Sequence, residues 1–225
     1  MEVEAKFYAG NANEPVIALV PTRAKRILDV GCGAGVNAAA LRARGAEVDG
    51  ITLSPEEAEA ARHQCGTVYV HDLESGLPTI RPQSYDAVIC SHMLEHIRYP
   101  ARLLHDIHAA LKPSGVLVVA LPNLLFWKNR LKLIAGRFEY TESGIMDNTH
   151  FRWYTFATAR RLLEAHGFVV VRAEVDGGLP LSRLRRILPD VTYGWADAAA
   201  RRLAPGLFGS QLLYVARPAA PTVAA

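Results

Sequence analysis

The sequence predicts an α/β fold, in which a seven-stranded and mostly parallel sheet carries helices on both faces. From residue 26 onward, short apolar runs alternate with segments of helical periodicity, the pattern of repeated strand–helix–strand units. The first run, residues 27–30, ends at Gly31, Gly33 and Gly35, and a helical segment follows. Because ligands of such sheets bind at the carboxyl ends of the strands, this glycine loop predicts a binding site.

The composition indicates an ordinary globular domain. The chain has 225 residues, of which 50% are apolar and 21% charged, enough for one sizeable core. We expect a single domain over residues 1–217 and a disordered tail over 218–225. The formal net charge of +3 is too small to indicate nucleic-acid binding.

The cysteines and the apolar runs exclude several other classes. Three cysteines without C-x-x-C spacing argue against a disulfide framework and against a zinc site, so we expect no metal and a reducing compartment. The N-terminus is acidic and lacks a signal-peptide core, and no apolar run is long enough to span a membrane. We therefore expect a cytoplasmic protein without integral membrane association.

The first half of the chain can be divided into elements by local signals. Residues 14–20 predict a short helix, preceded by Phe7 and Tyr8, which either cover the site or form a packing arm. Residues 47–53 predict the second strand. The next helix begins at Ser54 as N-cap, with Pro55 in its first position.

The rest of the chain adds five strands and two insertions. Strands are expected at residues 67–71, 84–91, 116–121, 168–175 and 209–217. Helices are expected at 100–111, 124–134 and 156–166, the last of them ended by Gly167. The intervening stretches, about 123–154 and 177–207, are interpreted as lid-like insertions.

The spacing of the glycine loop identifies its ligand class. A dinucleotide loop has the spacing G-x-G-x-x-G, and a P-loop ends in Gly-Lys-Ser/Thr, whereas Gly35 is followed by Val36 and Asn37. The run from Asp29 to Gly35 reads Asp-x-Gly-x-Gly-x-Gly, which resembles the first motif of the class I S-adenosylmethionine (SAM) dependent methyltransferases. The resemblance implies their Rossmann-like fold, in which the last strand, here residues 209–217, runs antiparallel. It also implies SAM as cofactor, with S-adenosylhomocysteine (SAH) as product.

The same resemblance implies which residues hold the cofactor. They lie in the glycine loop and at the ends of the next three strands: Asp29, Gly31, Cys32, Gly33, Gly35, Thr52, Leu53, Asp72, Leu73 and Ser91. One position departs from the family pattern. Thr52 stands where the family commonly has Asp or Glu, whose carboxylate accepts hydrogen bonds from both ribose hydroxyls.

The run after the fourth strand gives the first catalytic candidates. Tyr85-Asp86-x-Val88 followed by Leu94-Glu95-His96 is typical of small-molecule methyltransferases of this class. Histidine is suited to general-base catalysis because its ordinary pKa lies near neutral pH. His96 and His92 are therefore candidate bases, although a loop-ordering role for His96 is an equal alternative.

The insertion at 123–154 gives the remaining candidates. The run Asp147-Asn148-Thr149-His150 with the following Phe-Arg-Trp-Tyr-Thr resembles bacterial methyltransferases of sugars, lipids and secondary metabolites. The ubiquinone-biosynthesis O-methyltransferases carry a related histidine. His150 is thus a further candidate base, with a loop-fixing role as alternative. The candidate substrate-binding residues are Asn123, Trp127, Arg152 and Tyr154.

Together these features predict methyl transfer from SAM to a hydroxyl oxygen of a small secondary metabolite, sugar or lipid-like compound. Nitrogen is the alternative acceptor, and a non-catalytic partner with the same fold is the alternative class, supported by Thr52. RNA or protein substrates are disfavoured because no Asn/Asp-Pro-Pro-Tyr motif follows the fourth strand. The sequence leaves a homodimer open. The arginine-rich end of the chain, from residue 155, is interpreted mainly as a solvated face.

Overall fold

The computed structural model describes residues 10–179 and 190–220. The expectations for Phe7 and Tyr8, for the arginines at 183, 185 and 186, and for residues 221–225 lie outside this part of the chain.

The sheet has seven strands in the order β3-β2-β1-β4-β5-β7-β6. The strands are β1 Arg26–Val30, β2 Glu47–Thr52, β3 Val68–Val70, β4 Tyr85–Ser91, β5 Leu111–Pro122, β6 Phe168–Gly177 and β7 Gly209–Pro218. The pairs formed among β1 to β5 are parallel, and β7 runs antiparallel to β5 and to β6. This confirms the predicted sheet with its antiparallel last strand.

Eight α-helices connect or flank the strands in the described residues. They are α1 Glu14–Leu19, α2 Val36–Arg42, α3 Pro55–Ala61, α4 Pro100–Ala110, α5 Trp127–Ile134, α6 Phe156–Ala165, α7 Asp190–Leu203 and α8 Pro205–Phe208. The predicted start of α3 is confirmed, because the Ser54 side chain accepts a hydrogen bond from the Glu57 N–H at 3.2 Å. Gly167 follows α6 with φ +82°, which explains why the helix ends there.

Two elements begin three or more residues away from the start that the sequence predicts. Helix α5 begins at Trp127 rather than at residue 124, because the Leu124 and Leu125 amides donate instead to the Tyr154 carbonyl and the Asn123 side chain. Strand β5 begins at Leu111 rather than at residue 116. Leu111 pairs with Tyr85, and the register then shifts, so residues 112–115 belong to an irregular start of the strand.

Both faces of the sheet are buried. Along β1, Leu28 and Val30 belong to one core cluster, whereas Ile27 belongs to the cluster on the opposite face. Burial on both sides explains why the central strands are almost continuously apolar. Because both faces are covered, polar side chains that bind a ligand are expected at the carboxyl ends of the strands.

No helix among residues 10–179 and 190–220 combines the length and the apolar composition needed to cross a membrane.

Candidate active site

The glycine loop lies between β1 and α2 and has the conformation that its sequence predicts. Gly31, Gly33 and Gly35 have φ values of +81°, +52° and +83°, which side chains rarely adopt. A Cβ on Gly31 would also lie 2.7 Å from Met93 Cγ. The Gly31 and Cys32 amides both donate to the Ile51 carbonyl, so the loop is fixed to the end of β2.

Asp29 places a buried carboxylate directly before this loop. The residue has no exposed surface, and neither carboxylate oxygen has a hydrogen-bond partner in the described part of the chain. Burial raises the pKa of Asp29 from 3.8 to about 7, and the nearby Asn37 side chain opposes part of this rise. A buried carboxylate without a partner is costly, so this position favours a cationic ligand group.

The loop residue Cys32 and the more distant Cys65 lie next to each other beside Gly50 of β2. A Cβ on Gly50 would lie 2.7 Å from Cys32 Sγ and 3.0 Å from Cys65 Sγ. Both cysteines are buried and free. Gly50 therefore provides the space in which the glycine loop packs on β2.

The ends of β2 and β3 carry the residues expected to bind the nucleoside. Leu53 is 57% exposed and offers an apolar surface at this edge. Asp72 is exposed, and its Oδ1 accepts from the Glu74 N–H at 3.0 Å as the cap of a short 3-10 helix, Leu73–Ser75. Asp49 lies away from the edge, where its carboxylate accepts from the Tyr85 hydroxyl at 2.9 Å.

A polar network at the end of β4 was not anticipated from the sequence. The Asn13 side-chain amide donates to Ser91 Oγ at 3.1 Å and to Gln211 Oε1 at 2.9 Å. His92 contacts the same Gln211 oxygen, and its φ of +52° is unusual for a residue other than glycine. These contacts join β4, β7 and the start of α1, which no local sequence signal indicates.

Glu95, His96 and His150 come together beside β4. The rings of His96 and His150 pack edge to face with centroids 4.8 Å apart. Glu95 is fully buried; its Oε1 lies 3.3 Å from His92 Nδ1, and its Oε2 has no partner in the described residues. Two predicted catalytic histidines thus share one site, and the third is joined to it through Glu95.

The hydrogen bonds define the tautomers of His96 and His150. His96 Nδ1 lies 3.3 Å from the Thr149 carbonyl, and His150 Nδ1 lies 3.2 Å from the Ile145 carbonyl. Because a carbonyl can only accept, each Nδ1 carries a proton, and each neutral ring has its lone pair on Nε2.

The pKa values of His92 and His150 shift in opposite directions. Burial lowers the pKa of His150, and His96 adds to the decrease, while Glu95 opposes it. At His92, loss of solvation favours the neutral ring and lowers the pKa. The Glu95 carboxylate and the hydrogen bond to Gln211 outweigh this effect, so the net shift of the His92 pKa is upward. His150 is therefore the neutral imidazole at physiological pH, the form that can accept a proton.

The insertion is fixed to this site through its backbone. The Phe151 and Arg152 amides donate to the Glu95 carbonyl at 2.9 and 3.1 Å. The Arg152 side chain is exposed, and its Nε donates to the Arg98 carbonyl at 2.7 Å. Tyr154 is buried, and burial raises its pKa to about 12, so its hydroxyl stays protonated.

The predicted substrate residues have different environments. Asn123 is fully buried and donates both amide hydrogens, to the Gly206 and Gly209 carbonyls at 3.0 and 2.7 Å. Both of its amide hydrogens are thus used within the protein, where they connect the turn after β5 to the start of β7. In contrast, the Trp127 Nε1 and the Tyr154 hydroxyl are buried and have no partner in the described residues.

These residues fit SAM on three grounds. The unpartnered carboxylate of Asp29 suits the ammonium group of the methionine part, and the glycine loop leaves room for close backbone contact. The exposed Leu53 side chain suits an apolar ring face. The histidine cluster lies after β4, on the same edge of the sheet as the glycine loop.

Comparison with known proteins supports this interpretation. A family model described as a methyltransferase domain matches residues 8–173. A ubiquinone biosynthesis O-methyltransferase of Xylella fastidiosa is 37% identical over 143 residues, which cover 58% of this chain and 54% of that protein. The corresponding enzyme of Aeromonas salmonicida is 33% identical over 160 residues, covering 65% of this chain and 63% of that one. The chain thus spans about half to two thirds of these two relatives.

Solved structures show the same fold at low identity. A SAM-dependent methyltransferase from Archaeoglobus fulgidus has a TM-score of 0.63 at 21% identity, with 87% of each chain covered. A Burkholderia thailandensis 1,6-didemethyltoxoflavin N1-methyltransferase, solved with SAH, has a TM-score of 0.58 at 18% identity, covering 92% of this chain and 77% of that one. The chain therefore belongs to the methyltransferase domain family, with the class I fold and SAM as its cofactor.

Proposed function

We propose that this protein transfers a methyl group from SAM to a hydroxyl oxygen of a small molecule. The observation that carries the proposal is the packing of His150 on His96 beside the buried Glu95 carboxylate, where burial lowers the pKa of His150 and so favours its neutral form. A hydroxyl is a poor nucleophile until its proton is removed, whereas a neutral amine needs no base. A histidine held neutral in this site therefore favours oxygen. The names of the curated relatives, ubiquinone biosynthesis O-methyltransferases, support the same acceptor.

The chemistry needs orientation and one proton acceptor. When bound, SAM supplies an electrophilic methyl carbon on a sulfonium centre. The acceptor oxygen forms a bond to this carbon as the carbon–sulfur bond breaks, and SAH leaves. In our proposal, Nε2 of His150 or His96 takes the hydroxyl proton, and the insertion holds the acceptor in line with the methyl group.

The unpartnered polar atoms suggest where the acceptor is held. Tyr154 keeps its hydroxyl proton near neutral pH, and the Trp127 indole N–H is likewise a buried donor. Both are aromatic and lie on the insertion. We therefore propose a phenolic or otherwise largely apolar acceptor, in keeping with the lid-like role expected for residues 123–154.

An acceptor screen tests this proposal. Purified protein is incubated with SAM and a panel of catechols, hydroxybenzoates and aliphatic alcohols, with matched anilines and alkyl amines, and SAH release is measured. We expect turnover with at least one phenolic class. SAH release only with amines would overturn the oxygen assignment, and SAH binding without turnover on any acceptor would favour a non-catalytic role.

A further inference from the structure

Thr52 donates a buried hydrogen bond to an acidic side chain on the next helix. The Thr52 hydroxyl lies 2.5 Å from Glu57 Oε2, and the two residues are 3% and 5% exposed. Thr52 is the position at which the family motif leads one to expect a carboxylate. The structure therefore has a carboxylate next to that position, although it is attached to α3 instead of β2.

Glu57 lies in the first turn of α3, on the face that packs against the glycine loop. Ala61 follows it by one helical turn and so shares that face. The Cα of Ala61 lies 3.2 Å from the point where a Cβ on Gly35 would stand. The pKa of the Cys32 thiol is raised by its hydrogen bond to Cys65, by burial, and by neighbouring charges that include Glu57. Together with the Thr52 contact, both observations place Glu57 close to the end of β2 and to the glycine loop.

A carboxylate here has the capacity to bind two vicinal hydroxyls. Its two oxygens provide about four acceptor positions, and the Thr52 hydroxyl donates to one of these oxygens, Oε2. Hydrogen bonds to a charged acceptor are about twice as strong as neutral ones. Thr52 itself offers one hydroxyl without charge, and that hydroxyl is already directed at Glu57.

We propose that Glu57 is the carboxylate that binds the ribose hydroxyls of SAM, and that Thr52 is a positioning residue that fixes its side chain. In this protein the carboxylate is attached to the first turn of α3 and not to the end of β2, but it lies at the same edge of the sheet. This assignment concerns cofactor binding alone and does not depend on the methyl acceptor.

Calorimetry with two ligands tests the role of Glu57 directly. The ligands are SAH and its 2′-deoxyadenosyl analogue, which lacks one ribose hydroxyl, and the variants are Glu57→Ala and the control Glu59→Ala on the exposed side of α3. Wild type and control should bind SAH roughly 10–100-fold more tightly than the analogue. In Glu57→Ala the dissociation constants of SAH and the analogue should differ by no more than about 3-fold. An unchanged ratio in Glu57→Ala would overturn the proposal.

Two further variants keep the test independent of folding. If circular dichroism shows that Glu57→Ala does not fold, Glu57→Gln replaces it, because this variant preserves the side-chain volume. Glu57→Gln should lose most of the preference for SAH over the analogue. Thr52→Val keeps the carboxylate but removes the donor that positions it, and should lower SAH affinity more than analogue affinity. If Thr52→Val weakens both ligands equally, Thr52 has only a structural role.

Discussion

His96 and His150 pack edge to face with ring centroids 4.8 Å apart, although one follows β4 and the other lies in the insertion before α6. Each donates its Nδ1 proton to a backbone carbonyl of the insertion. The contact thus aligns both rings and also holds the insertion against the strand end. Catalytic and loop-fixing roles, which the sequence offers as alternatives, are compatible in this arrangement.

Removal of either imidazole should slow methyl transfer. We expect His150→Ala to lower kcat by roughly 10²–10⁴-fold, the usual contribution of a general base, and His96→Ala to lower it less. SAH affinity, measured by calorimetry, should be largely kept in both. Because the pKa of His150 is lowered, activity should fall only at pH values below the ordinary histidine range. Full activity in both variants would contradict the assignment of the base.

Asp29 should make cofactor binding depend on pH. In the free protein its pKa is about 7, and the ligand ammonium group favours the ionised carboxylate. SAH affinity should therefore be constant above neutral pH and fall by up to about tenfold per pH unit below it. Asp29→Asn should bind SAH more weakly at pH 8 and show a flat profile between pH 6 and pH 8. A wild-type profile that is already flat would show that Asp29 does not contact the ammonium group.

The same group should affect the stability of the ligand-free protein. A raised pKa means that the folded state holds its proton more tightly than the unfolded state, so stability is greatest below pH 4 for this group and decreases as pH rises to about 7. The full loss corresponds to on the order of 4 kcal/mol at pH 8. Asp29→Asn should consequently raise the free energy of unfolding at pH 8, measured by urea denaturation. A decrease at pH 8 would contradict the buried, unpartnered state of this carboxylate.

Gly50 should tolerate no larger residue. A Cβ there would lie 2.7 Å from Cys32 Sγ, so Gly50→Ala should destabilise the protein by about 1–3 kcal/mol and weaken SAH binding by displacing the glycine loop. Gly194→Ala in α7 is the matched control, because a Cβ there meets nothing within 4 Å. Thermal unfolding of both variants measures the difference. Equal melting temperatures would show that Cys32 and Cys65 can move to accept the Cβ without loss of stability.

Asn123 should be structural. Its amide donates to two backbone carbonyls in the buried turn near α8, so Asn123→Ala should cost about 1–3 kcal/mol of folding free energy by leaving those carbonyls unpaired. The KM for the methyl acceptor should change little, whereas Tyr154→Phe should raise it. An Asn123→Ala variant with normal stability and a raised KM would restore the substrate role expected from sequence.

The local features of this site could be predicted from sequence because their signals lie within a few residues. The glycine loop, the Ser54 cap and the positions of the strands along the chain are of this kind. The contacts between distant segments could not be predicted in this way. Gln211 meets His92 only because β7 inserts beside β5, and Asn123 is engaged by a turn that follows α7. The role of Glu57 has no local sequence signal either, since its contact with Thr52 depends on how α3 packs.

Competition between oxygen and nitrogen acceptors distinguishes O-methyl transfer from N-methyl transfer by this protein. SAM labelled with ¹³C in its methyl group is incubated with the protein and equal amounts of a phenol and the matched aniline, and the products are identified by NMR. We predict a ¹³C-methyl ether as the main product, with its rate strongly reduced in His150→Ala. An N-methyl product, or methyl ether formed equally fast by His150→Ala, would contradict the account.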